Sequence, residues 1–557
     1  MYIYSEKSRK KEKLIGRVPV QVKGTIRKHL AIDEISYRVQ TADLKNYLHE
    51  GIVFFVVCIS QDGDSCKIFY SALTPIKLKR LINKSLGNKT KFIKLKLFPG
   101  DNSKKFDIFI NTFEHSKKQI SFIDAEKIST PEELQEQDLL ESITTSVSTC
   151  NTDNIDPMRL LISNEIDLYA KIKGTEIQQP LELPPMEKIC INDNASISIN
   201  GVHFYDSIKR IYTKESTILK IGESTTISIP EGQSCVKINY KQNDNLRILT
   251  KDLDFLLALL DLGKLELKNI VIEVNAESQI FPNFDISAQR EMLKYLKNIV
   301  LLLDSLNAIK EIEISKLSQQ DWKNLYILVK ALIDKEPIKG LKLRSKIHFS
   351  KVKVASFKFA LFLEQYNEIK GSYLISDFFK NQEKCYITEN QGRKFETTKF
   401  ILLGIEDFLE TTNLKLDLLL QGFQGIPTND FNINQANKAL LNILLAYDSS
   451  DDKRPGLLKT ASDFSEWLMS MEDNVLSYDV RCLNRLQVIR RQRDFTEKEI
   501  EELCSIIENE LNHDEEVLVG AYLLLDNQVA AKVHFEKLDS EKQKNFKTYP
   551  IYLFWSD

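Results

Sequence analysis

Residues 1 to 28, "MYIYSEKSRKKEKLIGRVPVQVKGTIRK", alternate apolar and polar positions from the second residue, cross a basic loop and re-enter as "GRVPVQVKGT". Side chains of a strand alternate between its two faces, so this pattern predicts an opening hairpin. The β-branched alternation of "ISYRVQ" predicts a third strand, and "TADLKNYLHE" a short helix that Thr41 can cap. "GIVFFVVCIS" is a continuous apolar run of strand length, the mark of a strand covered on both faces. After the turn "QDGD", "SCKIFYSAL" reads as another strand, and "TPIKLKRLINKSLG" as a helix with Pro75 near its start and Gly87 at its end. The order strand, strand, strand, helix, strand, strand, helix describes an α/β domain with a central sheet over residues 1 to 125.

The polar, acidic stretch 126 to 157 ends in Ser, Thr and Asn and reads as a linker or exposed loop. Short alternating segments between Gly, Asn and Pro turns make 158 to 245 a β-rich domain. From 246 to 430 the periods mix: "TKDLDFLLALLDLG", "ISAQREMLKYLKNIVLLLDSL" and "SQQDWKNLYILVKALIDK" have helical spacing, while "LELKNIVIEVNA", "KEIEIS" and "KVKVASFKFALFLE" have strand spacing, an α+β domain. Residues 431 to 557 are helical throughout. Their last pair is loosely similar to a tetratricopeptide unit, with Gly520 and Tyr522 on one helix, Ala531 and Phe535 on the next and Pro550 after it. Paired helices stacking into a short solenoid commonly hold protein partners or a second copy, so this region is expected to be an interaction module. The chain as a whole is expected to be a multidomain protein of α/β and α+β character with a helical, solenoid-like end.

At 557 residues the chain exceeds what one core serves. No apolar run reaches the roughly 18 to 20 residues that span a bilayer, and the start lacks an apolar signal region, so a cytoplasmic protein with no membrane contact is expected. The cysteines form no CxxC pair and the histidines no HxxxH, which disfavours a zinc or disulfide framework. Net charge is only −3, yet residues 1 to 120 carry 24 Lys and Arg against 11 Asp and Glu, so a front of +13 precedes a remainder of −16. A basic domain on an acidic body suits either a polyanionic partner or a solvated lysine-rich surface. No GxxxxGK[ST], GxGxxG after a strand, or GxSxG is present, so no nucleoside-triphosphate site, dinucleotide site or serine elbow is expected.

Within "VPVQVKGT", Gln21 and Lys23 are two residues apart and share one face of a strand. Metal-assisted phosphodiester hydrolysis needs an oxygen ligand for the ion, a cation near the attacking water or scissile phosphate, and a carboxylate. Gln21 can supply the first and Lys23 the second. A lone QxK is weak evidence, since another copy occurs at Gln382 to Lys384. Its position at the end of the second hairpin strand, followed by a strand, a helix and a buried strand, gives the first copy its value. The loop cations Lys7, Arg9, Lys10, Lys11 and Lys13, with Arg27 and Lys28 after the motif, can neutralise several phosphates with little sequence preference.

The ordered set "GRVPVQVKGT", "DLKNYLHEGIVFFVVCIS" and "KIFYSALTPIKLKRLI" resembles the restriction-endonuclease-like PD-(D/E)xK superfamily, in the branch where Gln replaces the acidic residue before x-Lys. More narrowly it resembles domain of unknown function 4365, found in bacterial defence and mobile-element proteins, over roughly residues 1 to 100. The resemblance implies a DNA nuclease core using Mg²⁺ or Mn²⁺, with Gln21 and Lys23 at the family's motif and a defence setting. It also implies an Asp on the preceding strand and a helix before it. Residues 1 to 5, "MYIYS", hold no carboxylate. Glu6 and Glu12 lie in the basic loop, and Asp33 and Glu34 beyond the motif, so that Glu12 or Glu34 joins Gln21 at a metal only if loops fold back. Three explanations stand level: a true start upstream, a degenerate nuclease that binds without cutting, or a second subunit that completes the site. A non-enzymatic scaffold acting through 431 to 557 is the alternative.

Overall fold

The computed structural model describes residues 1–5, 9–31, 33–84, 88–125, 128–148, 157–162, 167–181, 186–230, 236–267, 270–273, 284–343, 345–369, 371–381, 385–388, 394–472, 475–509 and 514–556. The chain is of mixed α and β type and divides into two compact units. The first is Met1–Gln242 with Phe255–Asn283, the second Asn243–Asp254 with Phe284–Asp557.

The first unit opens with β1 (Tyr2–Tyr4) and β2 (Leu14–Arg17), antiparallel with Tyr2 opposite Arg17. The expected hairpin is therefore present, but it ends before the QxK motif. Pro19, which has no amide hydrogen for a ladder, separates it from β3 (Val20–Arg27), and β3 enters a different sheet. Next come β4 (Glu34–Gln40), α1 (Thr41–Asn46), β5 (Ile52–Ser60), β6 (Cys66–Leu73), α2 (Pro75–Asn83), β7 (Thr90–Leu97) and α3 (Asn102–Gln119). The sheet order is β3-β5-β6-β7-β4. β3 runs parallel to β5, with Gln21 opposite Phe54 and Lys23 opposite Val56, and the other neighbours are antiparallel.

The apolar run of β5 is covered on both faces, as its composition predicts. Phe54, Val56 and Cys58 pack with Leu44 of α1 and Leu78 of α2. Val53 and Phe55 pack on the opposite face with Phe109 and Ile110 of α3 and with Ile3 and Val18. Ile52, Val53 and Val56 are fully buried, and each such side chain contributes roughly 1.5 to 3 kcal/mol. The Asp101 carboxylate accepts from the Ser103 amide at 2.9 Å and starts α3. Thr41 is not the cap expected for α1. Gln40 holds that position, and the Thr41 hydroxyl donates to the Asn88 carbonyl at 2.7 Å. Pro75 stands in the first turn of α2 as expected, whereas Gly87 lies outside the described residues.

The stretch read as a linker carries structure in its front half. Helix α4 (Pro131–Glu136) starts in a capping box between Thr130 and Glu133, and β8 (Leu140–Thr144) follows. After α5 (Pro157–Ile162), β9 (Tyr169–Ile172) and β10 (Gln178–Pro180) complete a sheet of order β10-β9-β8. This sheet is anchored to the larger one through buried polar groups. Asp167 accepts from the Thr74 hydroxyl and the Gln119 amide at 2.9 Å each, and Lys77 lies 3.3 Å from its other oxygen. His115 Nδ1 and the Tyr169 hydroxyl are hydrogen-bonded at 2.8 Å. Further on, an antiparallel sheet of five strands between Lys188 and Tyr240 and a four-stranded sheet form the β-rich part.

In the second unit a four-stranded antiparallel sheet contains the hairpin Ile347–Val354 and Phe357–Gln365. "KEIEIS" is not a strand: among the described residues it makes one isolated bridge, Glu313 with Asn245, and ends in a 3-10 turn, Ile314–Lys316. The helical end runs from Asp430–Ser449 through Pro455–Met469, Tyr478–Gln492, Glu497–Glu508, Glu515–Leu524 and Gln528–Glu536 to Ser540–Phe546. Gly520 sits where an added Cβ would lie 3.0 Å from Ile551 and 3.2 Å from Leu483, and Ala531 is fully buried, so both small residues mark close helix packing. Among the described residues no helix is long and apolar enough to cross a membrane.

Candidate functional site

Among the described residues β3 is an edge strand of the five-stranded sheet, paired on one side only, by β5. Its odd-numbered residues Gln21, Lys23, Thr25 and Arg27 share the face that carries Phe54, Val56 and Cys58 on β5. That face is covered by α1, whose Leu44 is anchored in the core at 1% exposure. Residues four apart on a helix are neighbours. With Leu44 turned inward, Asp43 on α1 and Tyr47, the residue that ends it, reach β3.

Two contacts follow. The Tyr47 hydroxyl donates to Gln21 Oε1 at 3.0 Å, and Lys23 Nζ stands 3.9 Å from Asp43 Oδ2. The first fixes which way the amide points, since its oxygen is the acceptor. The second is a loose pair whose side chains are 40% and 38% exposed, a geometry that contributes at most about 1 kcal/mol. An amide oxygen, an ammonium, a carboxylate and a phenol thus stand together on one partly exposed face. Farther along the strand Arg27 lies against Cys58. Burial pushes that thiol up, and the guanidinium beside it pulls the other way without cancelling the shift.

The other residues singled out from sequence are dispersed. Glu34 does not join Gln21: β4 is the opposite edge of the sheet, four strand spacings or roughly 19 Å away, and Glu34 pairs there with Lys94 at 3.0 Å. Arg9, Lys10, Lys11 and Lys13 lie at the tip of the β1–β2 hairpin, separated from Gln21 by the length of β2 and by Pro19, with Glu12 in the same 3-10 turn. Lys7 and Glu6 lie outside the described residues. Arg27 closes β3, and the exposed Lys28 follows it. The motif strand therefore carries its own cations, while the hairpin cations form a second basic patch.

Sequence reasoning missed Asp43 and Tyr47. The available signal was their spacing of four across the short helix that leads into β5, the strand that pairs in parallel with the motif strand. Among the described residues no three His, Cys, Asp or Glu side chains cluster as a metal site. The donor set at β3, one amide oxygen and one carboxylate open to solvent, is nonetheless of the hard, oxygen-only type that suits Mg²⁺, an ion that keeps several waters and takes one or two carboxylates. In the second unit, a polar cleft lined by Glu313, Lys316, Ser318, Asp321 and Asn324 offers less. Its Lys316 is paired with Glu313 at 2.8 Å, and Asp321 is bonded to the Ser318 hydroxyl and the Ala355 amide.

No family model, no curated protein and no solved structure matches the chain.

Proposed function

We propose that the front domain is a DNA-binding, nuclease-like domain of the restriction-endonuclease-like PD-(D/E)xK kind, in its QxK branch, and that it hydrolyses phosphodiester bonds with Mg²⁺ or Mn²⁺. The observation that carries this is the face of β3: Gln21 and Lys23 side by side, with Asp43 and Tyr47 brought to them by α1, in a segment of net charge +13. Gln21 and Asp43 are the residues that would hold the ion, and the ion would supply charge stabilisation and an activated water. Lys23 and Arg27 line the same face and attract the phosphate backbone, Lys28 extends the attraction beyond the strand end, and the hairpin cations offer a second basic patch. The setting in bacterial defence comes with the resemblance.

Full-length protein incubated with plasmid DNA and Mn²⁺ is expected to cut it, and Lys23→Ala to lose at least about a hundredfold in rate, the scale of removing one group that stabilises transition-state charge. Equal cutting by both proteins would remove Lys23 from the chemistry. Binding measured in EDTA is expected to weaken steeply with salt, and each phosphate-contacting cation removed should reduce the slope by about one. A second reading, an interaction protein acting through 431 to 557, is favoured by Val529 and Val533, one helical turn apart and 77% and 52% exposed. A stable co-purifying partner with no metal-dependent cutting would select it.

A further inference from the structure

β3 leaves one edge of its sheet open, and a bare edge is a template for another strand. We propose that β3 pairs antiparallel with β3 of a second copy of this chain, about a two-fold axis at Gly24, joining the two five-stranded sheets into one.

In a parallel ladder the amide and carbonyl of one residue point to the same side, and successive residues alternate. The Val53 amide donates to the Pro19 carbonyl at 3.1 Å, so with the observed register Gln21, Lys23, Thr25 and Arg27 turn their backbone toward β5. Val22, Gly24 and Ile26 turn theirs outward. The Val22 carbonyl takes the Gln21 side-chain amide at a long 3.4 Å, a bond that a better donor displaces. The same three residues share an apolar face. Val22 is 55% and Ile26 71% exposed, an added Cβ at Gly24 would meet nothing within 4 Å, and Ile59 and Ile68 continue the patch onto β5 and β6.

The sequence of β3 is its own complement. With the axis at Gly24, Val22 stands opposite Ile26 of the second copy and Gly24 opposite its equivalent, and these outward residues exchange both backbone bonds. On the other face Lys23 stands opposite Thr25 and Gln21 opposite Arg27 of the second copy, so no two cations are directly opposed. The two Lys23 fall on a diagonal, each with its own Asp43 at 3.9 Å. Sliding the strands by two residues sets Lys23 against Lys23 or against Arg27, and like charges directly opposite repel. Sliding by one sets outward groups against inward ones and apolar side chains against polar ones. The far edge of the sheet is a poor partner, because on the corresponding face β4 carries the exposed Glu34, Ser36, Arg38 and Gln40. The pairing therefore closes as a dimer instead of growing into a filament. Each Gln21 and Lys23 face also gains Arg27 of the second copy.

The test uses the full-length protein in EDTA without DNA, so its result is independent of the cleavage reading. Sedimentation equilibrium between about 1 and 100 μM is expected to show a reversible monomer and dimer, as a narrow interface gives. Val22→Glu and Ile26→Lys change exposed side chains, and matching melting curves certify folding. Each single change enters the dimer twice and is expected to weaken it at least about tenfold. The double variant sets Glu opposite Lys of the second copy at both positions and is expected to recover most of the loss. Hydrogen exchange of the peptide spanning β3 should slow as concentration rises and return on dilution to that of a singly paired strand. A monomer throughout, an open-ended polymer, a dimer indifferent to both single changes, a double variant no tighter than the singles, or exchange independent of concentration overturns the inference.

Discussion

Replacing Asp167 by Ala should loosen the first unit more than any surface change of comparable size. The carboxylate accepts from Thr74 and Gln119 at 2.9 Å each and faces Lys77 at 3.3 Å, with the aspartate and lysine side chains only 14% and 11% exposed. Removing it takes the carboxylate away from Lys77 in a nearly dry site, and breaking a buried ion pair from one side costs about 3 to 5 kcal/mol. At 2 to 4 °C per kcal/mol for a unit of this size, the melting transition should fall by roughly 6 to 20 °C. The double replacement Lys77→Met with Asp167→Leu removes both charges and is expected to recover most of the loss, because well-packed apolar pairs often match buried ion pairs. Acidity gives a second readout. Burial pushes the Asp167 carboxyl up, but Lys77, His115 and its two hydrogen bonds pull it down further, so it ends below the ordinary carboxylate value. A lowered acid stabilises the fold above its unfolded value of about 3.9, and the contribution disappears as pH falls through the folded value. Burial also lowers His115, whose contribution is complete above about pH 6.5 and is lost as pH falls below it. The two windows separate in urea titrations at pH 7, 5 and 3. A loss below about 1 kcal/mol for Asp167→Ala, or a double variant no better than the single, would refute the reasoning.

Two further outcomes are expected. Lys399 is 7% exposed beneath the rings of Phe362, Phe378 and Phe400, and burial lowers its amine to about 8. Lys399→Met should therefore stabilise the second unit near neutral pH, by less than about 3 kcal/mol because the bond to the Asn381 carbonyl is lost, with the gain fading between pH 8 and 10.5 in denaturant titrations. Gly51 has φ +69, and a Cβ there would collide with the Ser116 hydroxyl. Gly51→Ala should cost about 1 to 3 kcal/mol by the same measurement, and a neutral result would show that α3 yields locally.

What the sequence discloses here is the local part. The apolar run of β5 states its two-sided burial in its own composition, and the helices of the C-terminal end follow from 3.6-residue periodicity with caps. Glu34 and Asp43 show where that stops. They are nine positions apart, on consecutive elements, yet β4 crosses to the far edge and α1 returns to the near one. Only strand order decides which carboxylate meets Gln21, and strand order is a long-range property. The same holds for 126 to 157, where polar composition hides a strand because β8 is an edge strand, with only Leu140 and Thr144 partly buried.

Parallel pairing gives the site a place in time as well as in space. The β5–β6 hairpin closes over a short turn, whereas Lys23 meets Val56 only after a loop of about 33 residues is closed. Longer closure costs more chain entropy and slows the step. β3 should then dock after the β5–β6 hairpin has formed, and as a singly paired edge strand it should detach more readily than the central strands. Its amides would exchange with solvent through partial openings well below the denaturation midpoint, so the face bearing Gln21 and Lys23 would come apart while the core behind it remains closed.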